Sequence, residues 1–253
     1  MVRTETRNGR SGHASDMPRR ALGGKRSLGG PRQRPMRCRK PLMRSLDRGD
    51  NVRGLCAGHT PIVSVNSLEV ILGPMFSGKS RTLISRLASA AHSGQVALAA
   101  RPSLGRATQG DRILSRDGSA WPAQVVATSH DLVAVARSAD IVAVDEVQFF
   151  GTGLIDAVAA MRESAMIVLA GLDLDFRGEP FGSTLEIAKV ASAVTCLTAT
   201  CAVCGGVATR TQRLVGGLPA TVDAPTVVLD DRACYEPRCL LCFNVAANQG
   251  QAV

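Results

Sequence analysis

The sequence contains a complete phosphate-binding motif. Residues 73–80 read GPMFSGKS and match G-x-x-x-x-G-K-[ST] at every fixed position, between the apolar run LEVIL and an amphipathic helical pattern. Glycines let backbone N–H groups turn toward phosphate oxygens, and the N-terminus of the following helix adds its positive dipole end. Lys79 is placed to reach the β- and γ-phosphates, and the Ser80 hydroxyl to ligate Mg²⁺. We therefore expect ATP and Mg²⁺ to be bound by Gly73, Pro74, Met75, Phe76, Ser77, Gly78, Lys79 and Ser80.

Two acidic residues follow another apolar run. The segment IVAV, residues 141–144, leads directly into Asp145 and Glu146. Asp145 is expected to hold Mg²⁺, and Glu146 to lie beside the γ-phosphate and take a proton from an incoming hydroxyl. The alternative is a helix cap with an exposed neighbour. Together with the phosphate loop, the pair indicates phosphoryl transfer, and we assign Val147 and Gln148 to the same nucleotide site.

Four of the eight cysteines form two C-x-x-C pairs, Cys201 with Cys204 and Cys239 with Cys242. Their separation of about 35 residues suits a four-thiolate tetrahedral zinc site, which is closed and therefore structural. Disulfides and a redox-active pair are the alternatives. The sequence begins with no signal-peptide apolar core, so we expect a reducing, cytoplasmic location.

The elements that must position these residues are indicated by short apolar runs. Strands are predicted at 68–72, 96–100, 141–144 and 166–170, with a shorter one at 125–127, and helices at 80–91 and 154–162. The runs do not alternate with polar residues and are separated by helices, which predicts an α/β fold with a parallel sheet covered on both faces. From about residue 195 the sequence becomes rich in Cys, Gly and Thr, as in a small metal-stabilised module.

The net charge of +9 is concentrated at the N-terminus. Residues 1–60 carry 15 Lys and Arg against 4 Asp and Glu, whereas residues 61–253 carry 15 against 17. The first segment is predicted to be a disordered basic extension, interpreted as a dispensable stretch, an electrostatic tail or a transit peptide. The near-neutral remainder argues against a nucleic-acid partner. No apolar run approaches the ~20 residues of a membrane span, so we expect a soluble protein without a membrane partner.

The same segments, in order, resemble the zinc-containing (type II) thymidine kinase family. Besides GPMFSGKS, the sequence has DEVQFF at 145–150, which resembles the family's D-E-A-Q-F-F, and GLDLDF at 171–176 followed by PFG at 180–182. Near the C-terminus, C-x-x-C-G with a later T-x-R-L and Y-x-x-x-C-x-x-C also resemble family motifs. The resemblance covers roughly residues 67–243.

The resemblance implies a function and a set of roles. It implies a RecA-like P-loop domain with a zinc-ribbon and lasso module, transferring the γ-phosphate of ATP to the 5′-hydroxyl of thymidine. Glu146 aligns with the family's catalytic base, Phe176 with the aromatic residue against the thymine ring, and Tyr235 with the tyrosine that caps the nucleoside. The implied substrate-binding set is Met75, Phe149, Phe176, Phe181, Thr211, Thr226, Val227, Val228, Leu229, Asp230 and Tyr235.

The sequence departs from the family in the lasso, where it carries Asp230 and Asp231 in place of a frequent Gly, and in the segment after the second strand. Gly105 and Ala107 stand where the family carries Asp-x-Arg, with Arg106 and Asp111 nearby as substitutes. The departure at Gly105 motivates one alternative to an active thymidine kinase, a catalytically impaired nucleotide-binding relative. A separate alternative is a nucleic-acid-stimulated P-loop ATPase with a zinc ribbon.

The predicted organisation has four parts. Residues 1–60 are the extension, 67–194 the ATP-binding domain, 195–245 the zinc-binding lasso domain and 246–253 a flexible tail. The resemblance further implies a homo-oligomer, often a tetramer, inhibited by dTTP.

Overall fold

The computed structural model describes residues 66–104, 110–228 and 233–247. Several predicted features lie outside these ranges. They are the extension at 1–60, the departures at Gly105 and Ala107, the lasso residues Leu229 and Asp230, and most of the predicted tail.

Strands and short helices alternate through the first two thirds of the described chain. The helices are α1 Lys79–His92, α2 Ser129–Ala136, α3 Gly153–Met161 and α4 Thr184–Lys189. The strands are β1 Leu68–Leu72, β2 Ala97–Pro102, β3 Arg112–Leu114, β4 Ala120–Pro122, β5 Gln124–Val126, β6 Ile141–Val144, β7 Met166–Ala170, β8 Ala193–Cys196, β9 Ala199–Thr200, β10 Val207–Ala208, β11 Arg210–Val215, β12 Leu218–Pro219 and β13 Ala233–Arg238.

Six strands form one sheet in the order β5-β2-β6-β7-β1-β8. Every pairing in it is parallel. The strands β1, β6 and β7 are buried at every position. Such strands need apolar residues on both faces, which explains their runs of Leu, Val, Ile and Ala.

Helices cover both faces of this sheet. On one face, α1 packs Leu83, Ile84 and Leu87 against the sheet together with Ile113 of β3. On the other, residues of α2, α3 and α4 join the second hydrophobic cluster. The predicted α/β architecture, a parallel sheet with helices on both faces, is therefore confirmed.

Three predicted strands have the bounds seen in the structure, whereas other predicted elements have shifted ends and some elements were not predicted. The strands at 68–72, 141–144 and 166–170 coincide with β1, β6 and β7. The helices predicted at 80–91 and 154–162, and the strands at 96–100 and 125–127, are shifted by one or two residues at one or both ends. The β3–β4 hairpin, α2, α4 and β8 were not predicted, and the predicted boundary at 194 falls within β8.

The C-terminal part is built from short antiparallel strands. The strands β9 and β10 form one ribbon, and β12, β11 and β13 form a three-stranded sheet. Tyr235 on β13 pairs with Arg213 on β11. Among the described helices, none has the length and apolar character needed to cross a bilayer.

Candidate active site and metal centre

The phosphate loop joins β1 to α1 through a series of tight turns. Three residues have positive φ: Gly73 at 143°, Phe76 at 71° and Gly78 at 89°. Gly73 also lies so close to the main-chain oxygen of Leu197 that a Cβ would clash with it. Glycine is therefore required at position 73 for both backbone angle and space, and this geometry lets the loop curl around the start of α1.

The Lys79 side chain lies across the loop rather than in solvent. It is 8% exposed, and its Nζ donates to the main-chain oxygens of Gly73 at 2.9 Å and Pro74 at 2.8 Å. Burial lowers the pKa of Lys79, and the charges of Glu146, Asp145 and Asp173 partly oppose that shift. The Lys79 ammonium therefore lies near three carboxylates, two that follow β6 and one that follows β7.

Asp145 lies at the C-terminal end of β6, with 3% of its surface exposed. Burial and the charge of Glu146 raise the pKa of Asp145 to about 7, while Ser80 and Lys79 act in the opposite direction. The Ser80 hydroxyl and the Asp145 carboxyl are thus neighbours. A buried carboxyl beside a hydroxyl provides the hard oxygen ligands that Mg²⁺ prefers, and a cation would favour ionised Asp145.

The Glu146 carboxylate is held by Gln148. The Gln148 Nε2 donates to Glu146 Oε2 at 2.7 Å, and its Oε1 accepts a hydrogen bond from Leu172 N at 3.0 Å. Glu146 has φ 53°, a left-handed conformation that costs about 1–2 kcal/mol in a residue other than glycine. Gln148 therefore fixes a strained, half-buried carboxylate relative to the end of β7.

Phe176 is backed by a buried arginine. Its ring is 4% exposed, and the Arg213 guanidinium carbon lies 3.4 Å from the ring centroid. Arg213 is fully buried and donates through Nη1 to the main-chain oxygens of Pro225 at 2.6 Å and Thr226 at 3.4 Å. Its Nε and Nη2 have no hydrogen-bond partner in the described part of the chain.

A second arginine also binds the segment around Thr226. Arg177 pairs with Asp175 at 2.6 Å and donates to the Thr226 hydroxyl and, at 3.5 Å, to Val222 O. The first half of the predicted lasso is therefore fastened to the GLDLDF segment. Val227 and Val228 follow it, both half-buried.

The phosphate loop is also linked to β11, because Met75 N donates to the Thr211 hydroxyl at 2.9 Å. Phe149 and Phe181 contact each other edge to face, with ring centroids 5.7 Å apart. Val147, predicted to contact ATP, is 1% exposed and its side chain belongs to the core beneath the site. The structure thus brings the two predicted carboxylates to the phosphate loop, and only the main chain of Val147 remains as a predicted contact with ATP.

The four predicted metal ligands form one cluster. The sulfur atoms of Cys201, Cys204, Cys239 and Cys242 all lie within 4.8 Å of one another, with Cys204 and Cys239 at 3.6 Å. Sulfurs around a tetrahedral zinc ion at about 2.3 Å are about 3.8 Å apart, so the cluster fits zinc. All four thiols are free of disulfides, and the gathering of four sulfurs in one cluster favours a metal site over disulfides or a redox-active pair.

The electrostatics of the cluster also suit a cation. Burial acts to raise the pKa of Cys201, but hydrogen bonds from the backbone of Cys204, Cys239 and Val203 outweigh it and lower the pKa to about 6. The pKa of Cys242 rises to about 12, chiefly because it hydrogen-bonds to Cys239. One thiolate thus forms readily and opposes ionisation of the others, and a bound cation removes that conflict.

Comparison with known proteins decides the family. The profile of the thymidine kinase family matches residues 66–243. The thymidine kinase of Pyrobaculum aerophilum is 39% identical over 176 residues, which is 68% of this chain and 95% of that protein.

The chain belongs to the thymidine kinase family. Among solved structures, a replication initiator DnaA bound to AMPPCP and single-stranded DNA is 14% identical, with a TM-score of 0.32. That match covers 54% of this chain and 41% of the other, and a likeness so weak has no bearing on fold or function.

Several residues of this thymidine kinase family member lie at the site without having been predicted there. Asp173 approaches Lys79, Arg177 holds the lasso and Arg116 stacks on Phe76. Asp173 belongs to the GLDLDF motif, so membership of that motif was the signal for its position at the site. The two arginines are recognisable only from contacts made in three dimensions.

Proposed function

We propose that this protein transfers the γ-phosphate of ATP to the 5′-hydroxyl of thymidine, giving ADP and dTMP. The observation that carries the proposal is the convergence of Lys79, Ser80, Asp145 and Glu146 at one end of the sheet. Family membership supports thymidine as the acceptor, and the comparisons do not favour the two alternative functions.

The phosphates of ATP are bound by the loop and by Lys79. Backbone N–H groups at the start of α1 bind phosphate oxygens. Lys79 Nζ exchanges the carbonyls of Gly73 and Pro74 for oxygens of the β- and γ-phosphates. Because the ammonium is already desolvated, its attraction to the phosphates is stronger than it would be in water.

Asp145 and Ser80 are the residues that would hold Mg²⁺. Their carboxylate and hydroxyl fit a hard cation, and Asp145 is already buried at the position required. When bound, Mg²⁺ neutralises charge on the phosphates and orients them.

Glu146 acts as the general base. The 5′-oxygen of thymidine attacks the γ-phosphorus, the bond to the bridging oxygen of ADP breaks, and the hydroxyl proton passes to the Glu146 carboxylate. Gln148 holds one carboxylate oxygen by its 2.7 Å hydrogen bond, which restricts the carboxylate to one orientation. Positioning of this kind accounts for much of the rate of phosphoryl transfer.

The nucleoside side of the site is assigned from family resemblance, supported by the contacts described above. Phe176 packs against thymine, and the lasso backbone reads the polar edge of the base. Arg213 and Arg177 hold the first part of that lasso. The full proposed contact set is Met75, Phe149, Phe176, Phe181, Thr211, Thr226, Val227, Val228, Leu229, Asp230 and Tyr235.

The test is direct measurement of dTMP formation from Mg·ATP and thymidine by the purified full chain. Glu146→Gln keeps the size of the side chain and removes its basicity, so we expect kcat to fall by about 10²–10⁴-fold. Glu163→Gln is the matched control, because Glu163 is exposed at the end of α3.

The outcomes separate the candidate functions. Loss of turnover in Glu146→Gln with normal turnover in Glu163→Gln supports the proposal. Tight ATP binding without dTMP formation by the unaltered chain identifies an impaired relative. ATP hydrolysis stimulated by DNA or RNA, without dTMP, identifies the nucleic-acid-dependent ATPase.

We also propose, from the resemblance, a homotetramer inhibited by dTTP and working in the cytoplasm in DNA-precursor synthesis. The proposed structural zinc requires the four cysteines of the cluster to stay reduced, as they are in the structure, and this supports a reducing compartment. Light scattering and dTTP titration test the first two points. A chain lacking residues 1–60 should keep full activity, and a large loss of turnover would assign that segment a role.

A further inference from the structure

The loop between β3 and β4 is a rigid turn close to the phosphate loop. Ser115 N donates to Ser119 O at 2.8 Å, Gly118 N to Ser115 O at 3.1 Å, and Ser119 N to Asp117 Oδ1 at 3.0 Å. Gly118 has φ 94°, which favours glycine. These bonds within five residues fix the direction in which the turn presents Arg116.

The hairpin is fastened to α1, the helix that starts at the phosphate site. Ile113 of β3 is fully buried in the same cluster as Leu83, Ile84 and Leu87 of α1. At the turn itself, Arg81 Nε on α1 lies 4.0 Å from Asp117 Oδ2. The turn is therefore held against the first turns of α1, where the bound phosphates of a P-loop protein lie.

Arg116 reaches the phosphate loop. Its guanidinium carbon is 3.5 Å from the centroid of the Phe76 ring, and Phe76 is the loop residue with φ 71°. The Lys79 Nζ lies at the same loop, where it donates to the main-chain oxygens of Gly73 and Pro74. A guanidinium from the β3–β4 turn and an ammonium from α1 thus lie at one loop, and both are groups that bind phosphate oxygens.

We propose that Arg116 binds the terminal phosphates of the nucleoside triphosphate held by the phosphate loop, and stabilises the phosphoryl group during transfer. The guanidinium fork bonds two phosphate oxygens at once, which an ammonium group cannot do. Phe76 supports the guanidinium plane in the orientation required. The inference rests on the proposed function, and it adds a cationic phosphate ligand from outside the phosphate motif.

The experiment compares Arg116→Ala and Arg116→Lys with Arg112→Ala in the full chain. Arg112 is an exposed arginine on the same hairpin, so its variant controls for loss of one positive charge. Two quantities are measured: dTMP formation at varied ATP, and the affinities for AMP and for a non-hydrolysable ATP analogue by calorimetry. Thermal melting establishes that each variant is folded.

We expect Arg116→Ala to lower kcat/KM for ATP by about 10²-fold, in the range seen when a preorganised charge-stabilising group is removed. Affinity for the analogue should fall by about tenfold and affinity for AMP should not change, because AMP lacks the terminal phosphates. Arg116→Lys should recover analogue affinity more fully than kcat. Arg112→Ala should stay within about twofold of the unaltered chain, as expected for an exposed charge.

Two results would overturn the inference: Arg116→Ala with unaltered kinetics, or an equal loss of AMP and analogue affinity. If the unaltered chain makes no dTMP, the proposed function fails instead. The comparison of AMP with the analogue then still decides whether Arg116 binds the terminal phosphates.

Discussion

Replacing Gly182 with alanine tests whether the segment after the GLDLDF motif positions the proposed base. Gly182 has φ 60°, and a Cβ placed on it would lie 2.5 Å from the main-chain oxygen of Gln148 and 3.1 Å from its Cα. Ordinary contact begins at 3.4 Å, so one backbone must move by nearly 1 Å. Because Gln148 donates a hydrogen bond to the Glu146 carboxylate, a shift of the Gln148 backbone should also displace that carboxylate.

The matched control is Gly178→Ala in the same segment. Gly178 has φ 85°, but its added Cβ would have no neighbour closer than 3.7 Å. Both variants pay the left-handed penalty of about 1–2 kcal/mol, and the clash at 182 adds about 1–3 kcal/mol. Gly182→Ala should therefore unfold at a lower urea concentration than Gly178→Ala, with an unchanged m-value.

Measuring kcat in the folded variants distinguishes a displaced catalytic group from a loss of stability. A displacement of about 1 Å at a catalytic group can cost about 10²-fold in rate. We expect kcat for dTMP formation to fall by about 10–100-fold in Gly182→Ala and to change by less than about threefold in Gly178→Ala, measured where both are folded. If Gly182→Ala is destabilised but keeps normal kcat, the segment has relaxed toward solvent, and the positional argument through Gln148 is wrong.

Three further predictions concern the buried acid, the metal cluster and the buried arginine. Burial raises the pKa of Asp145 from 3.8 to about 7, so between these values the folded state keeps a proton that the unfolded chain has released. The contribution of Asp145 to the stability of the metal-free protein is therefore fully present below pH 3.8 and is lost as pH rises through 7. Urea unfolding across that range should show the free energy of unfolding falling more steeply with pH in the unaltered chain than in Asp145→Asn. Cys201→Ser should lose about one zinc per chain by elemental analysis and lower Tm, whereas Cys196→Ser, outside the cluster, should retain the metal. Arg213→Met should raise KM for thymidine by about tenfold with little change in kcat, because it loses a charge-assisted hydrogen bond to the lasso. Arg210→Met, on the same strand, should leave KM for thymidine unchanged. Equal effects of the two substitutions would contradict a specific role of Arg213.

The sheet was predictable where the strands are buried on both faces. The segments LEVIL, IVAV and MIVLA consist of apolar residues, apart from one glutamate, and their bounds agree with β1, β6 and β7. Glu69, the exception, is 3% exposed but pairs with Arg86 at 2.9 Å. An ion pair between a buried strand residue and a half-buried helix residue cannot be inferred from the apolar pattern of either element.

Elements at the edge of the sheet were not predicted, for a related reason. The strand AVTC, β8, is half-buried or exposed along its length and has no apolar run to mark it. Helix α2 is only eight residues long, although Thr128 and Asp131 form a capping box that could have indicated it. Short edge elements are specified mainly by the strands they pair with, and those pairings are distant in sequence.

In the candidate site too, residues within local motifs were predicted, whereas the residues that position them were not. Motifs predict the groups proposed to bind phosphate and metal, because the phosphate loop and each C-x-x-C pair are local in sequence. The supporting contacts are not local: Gln148 accepts from a backbone group 24 residues away, and Thr211 accepts from Met75 N across 136 residues. Through that last bond the loop that binds phosphate is fastened to β11, the strand whose Arg213 backs Phe176 and holds the lasso. If the lasso binds thymidine as proposed, Arg213 and the Met75–Thr211 hydrogen bond connect the nucleoside side of the site to the phosphate loop through β11.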